Sequence, residues 1–293
     1  MNWQPILEHI QTATGSAFKT ESIHAVAGGD INSAFRLQSK DTAYFVKLNQ
    51  INRLDMFVAE AEGLSELAAA KTLRIPSPIV FEKSTEHAFL VLEYIEFDTS
   101  GKNSGRQLGQ QLALLHQIPQ AYFGWHRNNT IGSTPQENTR CEDWPEFWRT
   151  QRLQLQLTLA AGNGYGSRLQ TTGAKLCESI AVFFDGYRPR PALLHGDLWG
   201  GNTATDKAGN PVIFDPACYY GDKEADIAMT ELFGGFGRDF YAAYQEISPL
   251  DPGYATRKTL YNLYHILNHL NLFGGGYLRQ AEDMITSLLS EIR

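Results

Sequence analysis

Three polar side chains in the second half of the chain have the types and spacing that phosphoryl transfer requires. Asp197 lies in the segment LLHGDLWGGN, Asn202 follows it by five residues, and Asp215 follows Asn202 by thirteen. Amide and carboxylate oxygens are hard ligands that suit Mg²⁺, which completes its coordination with water and substrate phosphates. Asp197 would then be left to accept the proton of an attacking hydroxyl group. Singly, Asp197 and Asn202 are also common turn residues, so the prediction depends on the set of three.

The residues around this set predict a short β-hairpin. The segment PALLHGDLWGGNTATDKAGNPVIFDPA reads as a loop, a strand, a DKAGN turn and a second strand. Asn202 would enter the first strand and Asp215 would end the second, so we expect the two side chains to converge at one end of the hairpin. The order His195, Asp197, Asn202 also has the H-x-D-x-x-x-x-N spacing of a kinase catalytic loop.

The first third of the chain offers groups that could hold a nucleotide. The turn AGGDINS can bring backbone N–H groups close to phosphate oxygens, because its glycines carry no side chain. A Gly-Gly pair between two strands is otherwise an ordinary hairpin turn. The residues assigned to nucleotide contact here are Gly28, Gly29, Asp30, Ile31 and Asn32. Lys47 lies in the next strand, YFVKL, from which a lysine can reach the α- and β-phosphates.

Lys47 requires an orienting carboxylate, which the next helix, predicted over residues 54–71, can supply. Its apolar positions 57, 61, 64 and 68 form one face. Glu60 lies about 60° from the centre of that face, whereas Glu62 lies about 140° away, so Glu60 is chosen. Beyond this helix the strand FLVLEYI would offer adenine the backbone groups of Glu93, Tyr94 and Ile95.

The predicted elements favour an α+β protein with two lobes. Strands dominate up to the polar, glycine-containing segment DTSGKNSG, and helical periodicity dominates after it. We therefore assign residues 1–95 to a nucleotide-binding lobe and residues 96–293 to a catalytic and substrate-binding lobe. The second lobe is expected to contain a single β-hairpin, the one that carries Asn202 and Asp215.

Net charge, apolar runs and cysteine content limit the classes of protein that are compatible with this sequence. The 293 residues carry a formal net charge of −7, which disfavours a general nucleic-acid binder because phosphate backbones require a basic surface. No apolar run approaches the roughly 20 residues of a membrane helix, and the N-terminus lacks the pattern of a signal peptide. The three cysteines are scattered, so we expect free thiols in a reducing cytoplasm.

Several motifs resemble the fructosamine kinase (ketosamine-3-kinase) family, within the protein-kinase-like group that includes aminoglycoside and choline kinases. The broad group shares a pattern like HGDLxxxN followed by a hairpin and an aspartate. The narrower resemblance rests on HGDLWGGN, FDPACYYGDKEADIAM, NTIGSTPQENT, DWPEFWRTQRL and LYHILNHLNLFGG, and it covers the chain from about Ser22 onward.

This resemblance implies a bilobal protein-kinase-like fold. The small N-terminal lobe would have an antiparallel sheet with one main helix, and the large C-terminal lobe would be mostly helical. It also implies ATP- and Mg²⁺-dependent phosphorylation of the 3-hydroxyl of ketosamines, either free adducts or glycated protein lysines. The unstable 3-phosphate would then eliminate and release the amine, which is a deglycation activity. We expect a cytoplasmic monomer with no nucleic-acid or membrane partner.

The resemblance also implies a role for each matching residue. Asp197 would be the catalytic base, Asn202 and Asp215 the metal ligands, and Lys47 and Glu60 the phosphate-anchoring pair. His195 would hold the loop rather than exchange protons, and Asp226 would brace it. Some relatives carry a cysteine where this chain has Asp30, which argues against redox control through that turn. The residues assigned to substrate are Trp199, Asp222, Asn268 and His269.

Two other functions are compatible with parts of this pattern. A kinase for another hydroxylated amine, such as an aminoglycoside, would share the catalytic set, but Trp199 and the NTIGSTPQ and LNHLN segments favour a ketosamine. A nucleotide-binding pseudokinase would lack at least one catalytic group. None of the five groups that the chemistry needs is missing from the sequence.

Overall fold

A computed structural model describes residues 2–27, 31–100 and 104–292. These form two compact units. The first contains Met1–Ser104 and Ala204–Pro216, and the second contains Gly105–Thr203 and Ala217–Arg293. The sequence placed a boundary at residue 95 and assigned the hairpin after Asn202 to the second lobe. In the structure the first unit extends to Ser104 and takes up most of that hairpin.

The first unit is built on a five-stranded antiparallel sheet in the order β1-β2-β3-β5-β4. The strands are β1 (Ser22–Val26), β2 (Ser33–Gln38), β3 (Ala43–Gln50), β4 (Pro78–Lys83) and β5 (His87–Glu93). Helix α1 (Gln4–Thr14), which the sequence analysis did not predict, packs Ile6 and Ile10 against one face of this sheet. Lys47 alternates with the core residues Val46 and Leu48 and therefore projects from the opposite face.

Helix α2 (Leu54–Ala69) contacts β4 and β5 and buries Phe57, Ala61 and Leu64. A hairpin of β9 (Thr203–Thr205) and β10 (Pro211–Ile213) completes the first unit. Its turn is closed because Asp206 Oδ1 accepts the N–H of Asn210 at 2.8 Å. One isolated β-bridge pairs Arg74 with Val212, and another pairs Phe97 with Asp206. These bridges connect the hairpin to the rest of the first unit, so the hairpin belongs to that unit and not to the helical one.

The second unit is mainly helical. Its helices are α3 (Gly105–His116), α4 (Trp144–Trp148), α5 (Gln154–Gly162), α6 (Arg168–Ser179), α7 (Lys223–Leu232), α8 (Arg238–Ile247), α9 (Tyr254–Phe273) and α10 (Leu278–Glu291). A π-helical segment, Arg149–Leu153, joins α4 to α5, so the long helix predicted from WPEFWRTQRLQLQLTLA is continuous but locally widened.

The second unit also has two small antiparallel sheets. One pairs β6 (Asn129–Ile131) with β7 (Thr134–Gln136), and the other pairs β8 (Ala192–Leu194) with β11 (Tyr219–Gly221). The expectation of a single hairpin in this part of the chain was therefore wrong. The NTIGSTPQ segment forms its own hairpin, and three-residue strands of this kind are too short to show a clear alternation in sequence.

Candidate active site

The loop that carries Asp197 begins where β8 ends at Leu194. His195 is fully buried, and its ring Nδ1 lies 3.3 Å from the backbone nitrogen of Asp197, which donates to it. Gly196 adopts a φ of +81°, and a Cβ at this position would lie 2.1 Å from the carbonyl oxygen of Ala217. Only glycine satisfies both conditions, so the sharp turn before Asp197 requires a glycine at position 196.

Asn202 holds the carboxylate of Asp197. Its Nδ2 donates to the Asp197 carbonyl oxygen at 2.8 Å and to Asp197 Oδ2 at 3.1 Å. A 3₁₀ turn over Gly200–Asn202 carries this amide back over the loop. Because the amide nitrogen is committed to Asp197, the opposite side of the amide presents Oδ1, which is the atom that a hard cation would bind.

Asp226, in the first turn of α7, braces the same loop. Its Oδ2 accepts the N–H of His195 at 2.7 Å and its Oδ1 accepts the N–H of Gly196 at 2.8 Å. Burial alone would raise the pKa of this carboxyl, but its hydrogen bonds outweigh burial and hold the pKa below the usual value. Asp226 is therefore ionised at neutral pH and fixes two consecutive peptide units before Asp197.

Lys47, Glu60 and Asp215 meet in the first unit. Lys47 Nζ lies 2.7 Å from Glu60 Oε1 and also forms an ion pair with Asp215. Burial acts to lower the pKa of Lys47, but the two carboxylates hold that pKa above its usual value, so the ammonium keeps its proton. The helical periodicity thus selected the correct glutamate as the partner of Lys47.

The backbone of Asp215 is strained. Its φ of +57° places a non-glycine residue in the left-handed region. Such conformations cost of order 1 kcal/mol or more and concentrate at functional sites, where the surrounding structure holds them. Asp215 keeps a side chain that is 42% exposed while it pairs with Lys47, so its carboxylate is accessible to a ligand.

The predicted nucleotide contacts are described only in part. Gly28, Gly29 and Asp30 lie outside the described residues. Ile31 and Asn32 are both tied to the side chain of Asn49, whose Nδ2 donates to the Ile31 carbonyl at 3.2 Å and to Asn32 Oδ1 at 2.6 Å.

In the predicted adenine-binding segment, the backbone N–H of Glu93 is already engaged within the protein. The assignments of Tyr94 and Ile95 stay predictions. The N–H of Glu93 donates to the carbonyl of Ser77 at 2.8 Å, and the Glu93 side chain forms an ion pair with Arg74. Any backbone contact from Glu93 to adenine would therefore come from its carbonyl. The Tyr94 ring lies 4.4 Å under the guanidinium of Arg36, and Ile95 remains assigned by position alone.

Two of the predicted substrate residues are structural. Asp222 is 1% exposed, and its carboxylate caps α7 and accepts hydrogen bonds from the hydroxyls of Tyr187 and Tyr261 at 2.9 and 2.6 Å. Asn268 is 3% exposed and its amide binds Gln156 and the carbonyl of Ile131. The sequence showed polar residues beside a candidate loop or within an apolar helix, but it did not show the buried partners that satisfy them.

Trp199 and His269 instead belong to a partly exposed aromatic cluster. The Trp199 ring contacts Phe233 at 6.0 Å, and the ring of His269 contacts Phe233, Phe273 and Tyr277 at 5.0, 5.4 and 5.2 Å. The indole folds against the loop at Gly201, where a Cβ would lie 2.4 Å from it. Trp199 is nevertheless 38% exposed, so it is not a core residue.

Sequence reasoning missed the other members of this aromatic cluster. Phe233 and Phe273 are 38% and 50% exposed, and each begins a glycine-rich turn, FGGFG or FGGGY. An aromatic residue next to consecutive glycines at a helix end was the available signal. Glycines there end a helix and leave the neighbouring ring uncovered.

Comparison with known proteins identifies the family to which this chain belongs. Residues 2–291 match the family described as fructosamine kinase. The chain is 48% identical over 291 residues to a protein of Synechocystis sp. named "Probable ketoamine kinase", with 98% of this chain and 97% of that protein covered. It is 42% identical over 296 residues to a chloroplastic protein-ribulosamine 3-kinase of Arabidopsis thaliana, with 100% of this chain and 90% of the relative covered.

Solved structures agree with the predicted fold class. A crystal structure from Haemophilus somnus, assigned as a fructosamine-3-kinase, has a TM-score of 0.90 at 28% identity and covers 98% of this chain and 97% of that one. The aminoglycoside phosphotransferase APH(4)-Ia has a TM-score of 0.62 at 13% identity, with 99% of both chains covered, which shows a shared fold alone. The α+β protein-kinase-like fold is thus confirmed, and the chain belongs to the fructosamine kinase family.

Proposed function

We propose that this protein transfers the γ-phosphoryl group of ATP to the 3-hydroxyl of a ketosamine, such as a fructosamine or ribulosamine adduct of an amine or of a protein lysine. One observation carries the proposal: the Asp197 carboxylate lies on a loop held by Asp226 and is oriented by the amide of Asn202. The family membership directs this kinase chemistry to a ketosamine. The 3-phosphate would then eliminate and release the amine, so the overall effect would be deglycation.

The step that Asp197 would perform is proton acceptance. The substrate 3-hydroxyl oxygen attacks the γ-phosphorus, the bond from that phosphorus to the bridging oxygen of ADP breaks, and the hydroxyl proton passes to Asp197. Asn202 orients the carboxylate for this transfer, since it donates to Oδ2 at 3.1 Å. The Lys47 ammonium, held by Glu60, would anchor the α- and β-phosphates.

We propose Mg²⁺ as the metal ion of this activity. Asn202 offers an amide oxygen and Asp215 a carboxylate, each a hard ligand of the kind that Mg²⁺ binds, and phosphate oxygens and water would complete the coordination. When bound, the ion would neutralise charge on the transferring phosphoryl group. Among the described residues, no group of three or more His, Cys, Asp or Glu side chains could hold a metal ion.

The aromatic cluster around Trp199 is proposed as the platform for the acceptor. Aromatic faces suit both the sugar ring and the cationic or nearly cationic secondary amine of a ketosamine. The cluster begins two residues after the proposed base, and the rings of Trp199, Phe233 and Phe273 are each more than a third exposed. These positions replace Asp222 and Asn268 as candidates for substrate contact.

The cellular location and the oligomeric state of the enzyme are part of the same proposal. Cys141, Cys177 and Cys218 are free thiols, as predicted, although Cys141 is only half-buried. Among the described residues no helix has the length and apolarity that a bilayer crossing requires. We propose a cytoplasmic enzyme that acts as a monomer, because every assigned catalytic residue is supplied by one chain.

An acceptor panel tests the proposal directly. ATP consumption would be measured with fructoselysine, ribuloselysine, an aminoglycoside and choline, and ³¹P NMR would locate the new phosphate. We expect turnover with at least one ketosamine and phosphate on its 3-oxygen. Turnover with the aminoglycoside alone, or a phosphate on another carbon of the sugar, would contradict the assignment.

A further inference from the structure

Two amide side chains of the β6–β7 hairpin contact the backbone just before β11. Gln136 Nε2 donates to the carbonyl oxygen of Ala217 at 3.1 Å, and Asn129 Nδ2 donates to the carbonyl oxygen of Cys218 at 2.8 Å. Both acceptor residues are buried. A buried carbonyl group requires a hydrogen-bond donor, and here side-chain amides provide it where a neighbouring strand would use backbone N–H groups. The hairpin from the NTIGSTPQ motif therefore holds this segment of backbone.

The direction of the Gln136 amide is fixed by its other contacts. This side chain is buried, and its Nε2 also donates to Asn129 Oδ1 at 2.8 Å. Its Oε1 accepts the hydroxyl proton of Tyr264 at 2.7 Å. A rotation of the amide by 180° would bring Oε1 against the oxygens of Asn129 and Ala217. The amide nitrogen of Gln136 therefore faces Ala217, and no other orientation satisfies the same partners.

A buried arginine anchors the hairpin amides. Arg152, in the π-helical segment, is fully buried, and its Nη2 donates to Asn138 Oδ1 at 2.8 Å. Asn138 Nδ2 in turn donates to Asn129 Oδ1 at 2.8 Å. The Arg152 guanidinium lies 4.1 Å from the centre of the Tyr219 ring. Hydrogen bonds shielded from water are strong, and this connected set has few alternative arrangements, so it holds the hairpin amides in one position.

The Ala217 peptide unit packs against the turn before Asp197. Its N–H donates to the His195 carbonyl oxygen at 2.8 Å. Its carbonyl oxygen is the atom that would lie 2.1 Å from a Cβ at Gly196. The oxygen that Gln136 holds is therefore the oxygen against which the turn packs. A displacement of this oxygen would move the turn, and Asp197 is the next residue along the chain.

We propose that Gln136 is a positioning residue for phosphoryl transfer, which holds the Ala217 carbonyl group against the turn at Gly196 and so sets the position of Asp197. The Nε2 donor, rather than the bulk of the side chain, performs this role. The inference rests on the proposed function where turnover is the measured quantity.

The test uses two substitutions that keep the length of the side chain and remove its donor. Gln136→Met has no polar hydrogen, and Gln136→Glu keeps an acceptor for Tyr264 but turns an oxygen toward Ala217. Gln170→Met is the matched control. Gln170 Nε2 also donates to two backbone carbonyl oxygens of the helical unit, those of Leu157 and Tyr165, at 2.9 and 3.0 Å.

We expect both Gln136 variants to lower kcat for the ketosamine by roughly 10- to 50-fold, because a small misplacement of the base is costly. The KM for ATP should change by less than about threefold. Gln170→Met should keep kcat within about twofold of the wild type. Kinetics would be measured at a temperature at which circular dichroism shows every variant to be folded. A wild-type kcat in either Gln136 variant, or an equal loss in Gln170→Met, would overturn the proposal.

A second measurement does not depend on catalysis. Hydrogen–deuterium exchange of the peptides over residues 193–199 and 215–221 reports on the turn and on the Ala217 N–H that donates to it. Exchange should accelerate in both Gln136 variants and keep the wild-type rate in Gln170→Met. Equal exchange in all four proteins would refute the positioning role even if no acceptor were phosphorylated. A failed acceptor panel with the expected exchange pattern would refute only the proposed function.

Discussion

At the scale of single residues, Asp197 and Lys47 are each held by neighbouring side chains, but in different ways. Asn202 holds Asp197 through its amide nitrogen, whereas the Lys47 ammonium is held by the carboxylates of Glu60 and Asp215. A carboxylate that accepts a proton in the transition state must be oriented toward the attacking hydroxyl group. The hydrogen bond from the Asn202 amide would provide this orientation for Asp197.

Removal of the Asp197 carboxylate should stop chemistry and spare nucleotide binding. We expect Asp197→Asn to lower kcat by roughly 10²- to 10⁴-fold, because the side chain keeps its shape but cannot accept the hydroxyl proton. The KM for ATP should change by less than about threefold. Steady-state kinetics measure both, with Asp185→Asn as the control at an exposed position. A variant with wild-type turnover would rule Asp197 out as the base.

The aromatic cluster should act on the acceptor alone. Trp199→Leu or Phe233→Leu is expected to raise the KM for the ketosamine by roughly 5- to 20-fold, since loss of an aromatic face removes about 1–2 kcal/mol of contact with the acceptor. The KM for ATP should stay within about twofold. Phe81→Leu, at an equally exposed ring on β4, provides the control. Unchanged KM for every ketosamine tested would remove this cluster from the acceptor site.

At the scale of elements, short segments with special backbone conformations place the side chains. The turn at Gly196 and the strained residue Asp215 lie at the ends of three-residue strands, where only a few ladder hydrogen bonds define the chain direction. The positions are held instead by contacts from longer elements, such as Asp226 on α7. Helices therefore determine the geometry of a site that lies on loops.

Gly196 should be intolerant of even one added methyl group. Gly196→Ala is expected to cost about 2 kcal/mol or more of folding free energy and to reduce kcat, because its φ is positive and its Cβ would clash with Ala217. Urea unfolding and kinetics measure the two effects. Gly162→Ala, with no atom within 4 Å of the added Cβ, should stay within about 1 kcal/mol of the wild type. Equal stability of both variants would contradict the steric argument.

Helix α9 carries a buried neutral histidine that should make folding sensitive to acid. Burial, aided by nearby His269, lowers the pKa of His265 to about 3. Because the unfolded chain binds this proton near pH 6.5 and the folded chain does not, the stability from this residue is fully present above pH 6.5 and is lost as the pH falls toward 3. Between pH 7 and pH 5 the loss from this residue is about 2 kcal/mol.

His265→Gln tests this dependence, since it removes the titrating group and leaves the other histidines in place. The free energy of unfolding from urea titrations at pH 7 and pH 5 should fall by about 2 kcal/mol less in the variant than in the wild type. Titratable groups that are shared by the wild type and the variant contribute equally to the pH dependence of both proteins, so the difference between the two reports on His265 alone. Identical pH dependence in the two proteins would show that His265 does not titrate in this way.

At the scale of the whole molecule, the residues proposed for catalysis belong to different units. Asp197 and Asn202 belong to the helical unit, and Lys47, Glu60 and Asp215 belong to the unit with the five-stranded sheet. The chain passes between the units after residues 104, 203 and 216. The last two passages flank the β9–β10 hairpin, so the segment between the two proposed metal ligands starts in one unit and ends in the other.

Bound nucleotide should stabilise the whole chain in a manner that depends on Asp215. At a hundredfold excess over its Kd, Mg²⁺–ATP raises the free energy of unfolding by about 2.7 kcal/mol. Thermal unfolding of the wild type should show a rise in Tm that EDTA largely removes. In Asp215→Asn, the Tm with ATP should be the same with Mg²⁺ and with EDTA. Asp206→Asn, on the turn of the same hairpin, should behave as the wild type, and a full Mg²⁺ effect in Asp215→Asn would contradict the metal assignment.

Local sequence determined much of this protein. The alternation of side chains located β1, β2, β3 and β5, and helical periodicity identified Glu60 as the partner of Lys47. The spacing within HGDLWGGN identified Asp197 and Asn202 as candidate site residues. These features were predictable because each depends on residues that are neighbours in sequence or on one regular face. Helix α1 and the β6–β7 hairpin were missed because a short pattern with few apolar residues does not stand out from loop sequence.

Only the tertiary structure decided what the remaining polar and aromatic residues do. Asp222 and Asn268 have the residue types of a binding site, but distant side chains cover and satisfy them. Phe233 and Phe273 look like core residues in sequence and are left exposed next to Trp199. Periodicity shows which face of an element is apolar, but the partner that covers a given side chain comes from far along the chain, so its burial depends on the packing of the folded protein.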